Sequence, residues 1–303
     1  MPAEPIAQSY LTWWQRKTFL LAAVLLVGLG LLLRLTGLNW DAGALLHPDE
    51  RYLVMVTAAL QWPDSVAQYF NSAESPLNPL NLQDLNWYVY GTLPLFLAKL
   101  WVTAAGATGL EEIAVSARLL TAIIDSATLL AVFGLGRQVF GLRVGLLAAV
   151  FYGLAVLPVQ LAHFFTVDPF LNLFLLLALL QAVRMGEAAG PRPALLLGLW
   201  WGCALASKLS ALAFAPVVLA AVWLGGRQLG RGLALQYLTL SLFCAALVFR
   251  LLQPYAFSGW FSPDPRFLSA LEHLQALQAW DEWMPPSVQW LGRNGLQFPL
   301  HNM

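Results

Sequence analysis

The chain has 303 residues, 59% of them hydrophobic and only 11% charged, with a formal net charge of zero and a mean hydropathy of +0.66. A composition this apolar excludes an ordinary soluble domain and marks an all-α, polytopic membrane protein. The balanced charge gives no basic footprint for a nucleic-acid partner. Cys203 and Cys244 lie in apolar runs with no disulfide or zinc spacing, so they read as small core residues.

In chain order, Arg16 and Lys17 precede a first apolar run over residues 19–38. No small-residue cleavage site follows, so this helix is expected to stay as an anchor. His47-Pro48-Asp49-Glu50 comes next, two adjacent acids where a membrane helix should emerge into water. Acids are rare here and costly to dehydrate, which argues for a role. Further spans are expected over 117–135, 144–162, 169–183 and 233–252, with a long apolar stretch over 194–225. A weaker run over 91–106 is interrupted by Pro94 and Lys99. The pairs Arg137/Arg143, Arg184/Arg192 and Arg227/Arg231 bracket short loops, which the positive-inside rule places in the cytoplasm with the N-terminus. Counting crossings then puts His47 to Glu50 outside. It makes 39–116 one long outer loop with 91–106 as an interfacial or half-inserted helix. The stretch 194–225 becomes a re-entrant pair turning near Ala206-Ser207-Lys208. Seven crossings result, forming a module over 1–252. Residues 253–303 form an outer segment with an amphipathic run over 267–280, and the chain reads as the front part of a longer protein.

This topology brings Asp49, Glu50, His163, Asp168 and Lys208 to one face. Two carboxylates and a cation suit a transfer in which an acceptor is deprotonated and a phosphate leaves. Each residue also has a plainer reading. Asp49-Glu50 can be a solvated loop start. Asp168-Pro169 can be a helix N-terminus. Lys208 can snorkel to the interface, and His163 reads more simply as a packing or hydrogen-bonding residue. Asp125, inside an apolar helix, is expected to pair with Arg118 or to make a polar contact between helices; Arg118 could also face an anionic head group. Trp87, Tyr88 and Tyr90 read as aromatic-belt residues.

The ordered set His47-Pro48-Asp49-Glu50-Arg51-Tyr52, Tyr90-Gly91-Thr92-Leu93-Pro94, the Arg118 segment, Thr166-Val167-Asp168-Pro169 and Ala206 to Leu212 resembles the lipid-carrier-dependent glycosyltransferases of the GT-C superfamily. The nearest branch is that of protein O-mannosyltransferases and aminoarabinose transferases. The resemblance implies a large first outer loop with juxtamembrane helices, then transfer of a sugar from a polyprenyl-phosphate donor to a glycan, lipid or protein acceptor outside the cytoplasm, with inversion. It implies Asp49 as general base, Glu50 as a positioning acid, Asp168 as a second active-site acid and Lys208 as donor-phosphate ligand. Arg51, Tyr52, Arg118 and His163 are implied as weaker substrate contacts. Where aminoarabinose transferases carry a Glu-Lys-Pro-like element, this chain has Gly91-Thr92-Leu93-Pro94, so the phosphate cation falls to Lys208 or an arginine. A divalent cation (Mg or Mn) stays open as a cofactor.

Two other readings compete: a transporter or flippase for a lipid-linked sugar, with acids near the bilayer midplane, and a non-catalytic subunit that keeps the fold. Acids at helix ends on one side favour the enzyme. The expected location is a bacterial plasma membrane.

Overall fold

The computed structural model describes residues 13–277, in which all the regular secondary structure is helical, with no strand among them. Helix α1 (Trp13–Leu35) leads into a long loop carrying α2 (Pro48–Ala59), α3 (Val66–Phe70) and a 3-10 turn at Pro79–Asn81. Next come α4 (Thr92–Ala105), α5 (Leu110–Phe140), α6 (Leu142–Leu154), α7 (Val156–Leu161), α8 (Asp168–Glu187) and α9 (Pro191–Leu205). A 3-10 segment, Leu209–Phe214, runs into α10 (Ala215–Leu229), followed by α11 (Arg231–Leu252), a 3-10 turn at Pro254–Ala256 and α12 (Pro265–Leu277).

Among the described residues, five segments are long and apolar enough to cross a membrane: Lys17–Leu35, Leu110–Phe140, Asp168–Glu187, Leu209–Arg227 and Arg231–Leu252. The expected span over 144–162 is divided instead. α6 stops at Leu154 and α7 starts at Val156, because Pro158 has no N–H to offer the Leu154 carbonyl and its ring crowds that oxygen. Ala155 leaves the helix with ψ at 133°. The 14 residues of α4 rise about 21 Å, short of the ~30 Å hydrocarbon core. The stretch 194–225 turns at 206–208, between α9 and the 3-10 segment.

Apolar helices in a lipid solvent need close contact to associate, and small residues provide it. A Cβ on Gly198 would lie 2.3 Å from the Ser241 carbonyl oxygen, and one on Gly202 2.7 Å from the Val248 Cβ, so the α9 backbone lies directly against the backbone and side chains of α11. Ser241 Oγ donates across that seam to the Ala194 carbonyl at 2.9 Å. Gly30 and Gly153 let α1 approach α6 in the same way.

Of the two arrangements expected for Asp125, the polar contact between helices forms and the pairing with Arg118 does not. The two residues are seven apart on α5, about 10 Å along the axis, beyond side-chain contact. Asp125 instead accepts from Arg34 Nε at 2.6 Å and from the Tyr152 hydroxyl at 2.5 Å. The Arg34 guanidinium, fully buried, also donates to the Gly30 and Gly153 carbonyls at 2.8 Å each. A buried charge is tolerated only when paired and hydrogen-bonded, and this cluster ties α1, α5 and α6 together.

The long loop packs on the helix ends through Leu53, Val54, Leu60, Leu77 and Tyr88, all buried. Polar ties fix it to the segment after α11. Ser72 Oγ donates to Asp264 at 2.6 Å, Ser75 and Tyr255 share a hydrogen bond at 2.7 Å, and Arg266 reaches Asn81 at 2.8 Å. The amphipathic run forms α12 with Phe267 buried; its expected last turn, residues 278–280, lies outside the described residues, as does the chain end.

Candidate functional site

The site is built in two layers, beginning with a buried clamp. His47 caps α2, its Nδ1 accepting from the Glu50 N–H at 3.4 Å, and Pro48 stands at the first helical position, where its missing N–H and fixed φ favour a helix start. Adjacent helical residues point about 100° apart, so Asp49 faces out while Glu50 is buried. All five N–H groups of Arg118 find acceptors. Nε and Nη2 donate to the two Glu50 oxygens at 2.7 Å each; Nη1 and Nη2 donate to the two Asp41 oxygens at 2.9 Å; and Nη1 also reaches the Leu38 carbonyl at 2.9 Å. Glu50 Oε1 takes a further bond from the Phe165 N–H at 2.8 Å. Asp41 sits in a tight coil in which Ala42 and Leu45 hold φ values of 49° and 50°. The hydrogen bond from Arg118 holds the Asp41 carboxyl down, to about 2.

Above the clamp lies the accessible layer. Asp168 opens α8, and Lys208 stands at the start of the 3-10 segment after α9. Their side chains meet at 2.8 Å, each more than a third exposed. Tyr90 joins them from the long loop. Burial, together with the neighbouring carboxylates of Asp49 and Asp168, drives its phenol well above its ordinary range, so it stays protonated and able to donate. Tyr90 packs edge-on against Tyr88, which stacks on Tyr52. The next residues dock on the Lys208 turn: the Gly91 and Leu93 N–H groups donate to the Ser207 and Ala206 carbonyls at 3.0 Å. Asp49, Tyr90, Asp168 and Lys208, from four separate elements, are thus gathered at one end of the helices. An exposed acid, a half-exposed ion pair and a protonated phenol offer a proton acceptor, a cation and a hydrogen-bond donor to one substrate.

The sequence model of the family described as dolichyl-phosphate-mannose-protein mannosyltransferase matches residues 96–252. The chain belongs to that family. No curated protein matches the chain. As a family member it is a membrane glycosyltransferase of the GT-C type, whose sugar donor is lipid-linked. The matched region contains Arg118, Asp168 and Lys208; Asp49 and Tyr90 precede it.

The remaining expected residues are held by the protein. Arg51 Nε donates to the Leu45 carbonyl at 2.9 Å, and the Tyr52 hydroxyl lies 2.8 and 2.6 Å from the Leu85 and Trp87 carbonyls. His163 bridges the Val159 carbonyl at 2.7 Å and the Thr36 carbonyl at 2.9 Å, tying α7 to the end of α1. Among the described residues no group of three or more His, Cys, Asp or Glu is placed to hold a metal ion. The residue that sequence reasoning missed is Tyr90, which reads as one more interfacial aromatic. Its adjacency to the Gly91-Thr92-Leu93-Pro94 element was the available signal.

Proposed function

We propose that the protein transfers a sugar from a polyprenyl-phosphate donor to a hydroxyl acceptor on the extracytoplasmic face, with inversion. Asp49 takes the acceptor proton as the oxygen attacks the anomeric carbon and the bond to the carrier phosphate breaks. Lys208 leaves Asp168 to neutralise the departing phosphate. An exposed ion pair contributes little by itself, so exchanging one anion for another costs little. Asp168 holds Lys208 aimed until the donor arrives, and Tyr90 donates to the Asp49 carboxylate or to a sugar oxygen. Glu50, with both oxygens engaged, positions Asp49 by anchoring the first turn of α2. Arg118, His163, Arg51 and Tyr52 act in the same indirect way. The proposed setting is seven crossings over residues 1–252 in a bacterial plasma membrane, with α6–α7 and α9 completing the set and residues 253–303 outside.

The observation that carries this reading is the convergence of Asp49, Tyr90, Asp168 and Lys208. Loss of a general base lowers rate by about 10²- to 10⁴-fold. Asp49→Asn should therefore abolish transfer in reconstituted membranes while the thermal unfolding midpoint stays unchanged. Lys208→Ala should lower kcat/KM by roughly 10²-fold, the scale of one lost charge-stabilising contact. Normal transfer by the Asp49 variant would remove the base from the scheme.

A further inference from the structure

Arg250 lies in the last turn of α11 and has no carboxylate partner among the described residues. Its guanidinium is caged by aromatic rings instead, with centroids at 5.0 Å for Phe257, 5.1 Å for Phe70 and 5.7 Å for Trp260. Nε and Nη2 donate at 3.1 Å to the Trp260 and Gly259 carbonyls, while the buried Nη1 has no acceptor. Those carbonyls belong to a narrow hairpin closed by the Phe257–Pro263 bridge and the Ser258 N–H to Ser262 carbonyl bond at 3.0 Å. At its tip Trp260 and Phe261 are 74% and 90% exposed, the latter the most exposed large apolar side chain described.

The position of this tip decides what it meets. Its backbone folds back onto Arg250, so it lies level with the end of α11, a segment apolar enough to cross a membrane. Phe243 and Leu247 precede Arg250 by seven and three residues on the same face of α11, and both are exposed. The tip therefore continues an apolar stripe that faces lipid. An aromatic pair at that level is suited to the headgroup boundary, and an unneutralised guanidinium beneath it is suited to lipid phosphate.

We propose that the 258–262 hairpin is a membrane-interface anchor, with Trp260 and Phe261 inserted at the headgroup level and Arg250 bracing the tip from below while adding positive charge toward lipid phosphate. It would fix the height of the long loop, which touches the same cage through Phe70, and hence of the site relative to the bilayer. The proposal is independent of the sugar-transfer scheme.

The test uses the full chain in proteoliposomes of phosphatidylcholine with or without phosphatidylglycerol. Phe261→Cys is labelled with an environment-sensitive fluorophore, and the labelled parent controls for Cys203 and Cys244. The expected result is a blue-shifted emission, quenching by lipids bearing a nitroxide near the headgroup, and protection from aqueous iodide. Arg250→Gln should reduce the lipid quenching and remove any gain from phosphatidylglycerol. Full iodide quenching without lipid quenching would place the tip in water. Protection from both quenchers would mean that protein covers it. Either result overturns the anchor, and unchanged lipid quenching in Arg250→Gln overturns the part given to Arg250.

Discussion

Two adjacent acids of like chemistry sit in different surroundings here: Asp49 is exposed and Glu50 is fully buried. Glu50 shares Arg118 with Asp41, all three side chains fully shielded from solvent. Glu50→Gln leaves Arg118 paired with Asp41 but turns an amide N–H2 toward buried donors of Arg118 or Phe165, and a buried polar group left unmet costs about 1–3 kcal/mol. Glu50→Gln should therefore lower the thermal unfolding midpoint, whereas Asp49→Asn should leave it in place; measuring both in one detergent tests the proposed division between an anchoring acid and a base. The clamp also sets an acid limit. The Asp41 carboxyl is lowered from 3.8 to about 2, so its contribution to stability is complete above pH ~4 and is lost as pH falls toward 2. Asp41→Asn should remove that part of the acid transition in unfolding curves recorded from pH 5 to 2. The sequence made the acids visible because charge is scarce in this chain. It could not rank them, since the partners of Glu50 stand 68 and 115 residues away at Arg118 and Phe165.

At the scale of elements, most long helices were legible because an apolar run of about 20 residues has few other uses. The exceptions follow local rules that hydropathy averages over. Pro158 splits one run by backbone chemistry. The segment at Tyr90 was harder to read, because its importance comes from a backbone contact rather than a side chain. A Cβ on Gly91 would lie 2.0 Å from the Ala206 carbonyl oxygen and 2.6 Å from the Ser207 carbonyl carbon, so only glycine allows the Tyr90 strap to dock on the Lys208 turn. Overpacking of this kind costs about 1–3 kcal/mol. In Gly91→Ala the strap must lift, moving Tyr90 away from Asp49 and Asp168 and loosening the Lys208 turn. The expected outcome is a large fall in transfer rate with a modest loss of stability. Gly134→Ala, in α5 with open space around it, serves as the control and should change neither. Equal effects of the two substitutions would mean that the strap contact does not govern the site.

For the whole molecule, function depends on which end of the helices faces which compartment. Asp49, Asp168 and Lys208 gather at the end where α1 stops and α8 begins, and the Arg137–Arg143 turn lies at the far end of α5. The 31 residues of α5 rise about 46 Å, more than the ~30 Å hydrocarbon core. Its two ends therefore emerge on opposite sides of a bilayer if it crosses upright. The arginine-bracketed turn favours the cytoplasm, and the proposed orientation accordingly puts the site end outside. Leu46 and Phe140, 59% and 71% exposed, mark the two ends. In sealed cells a membrane-impermeant maleimide should label Leu46→Cys directly, and Phe140→Cys only after the membrane is opened. Cys203 is buried and Cys244 partly so, giving a low background. The opposite pattern would move the site into the cytoplasm and, with it, the acceptor. Labelling of both positions from outside would show that α5 does not cross, and the crossing count derived from the arginine pairs would fall with it.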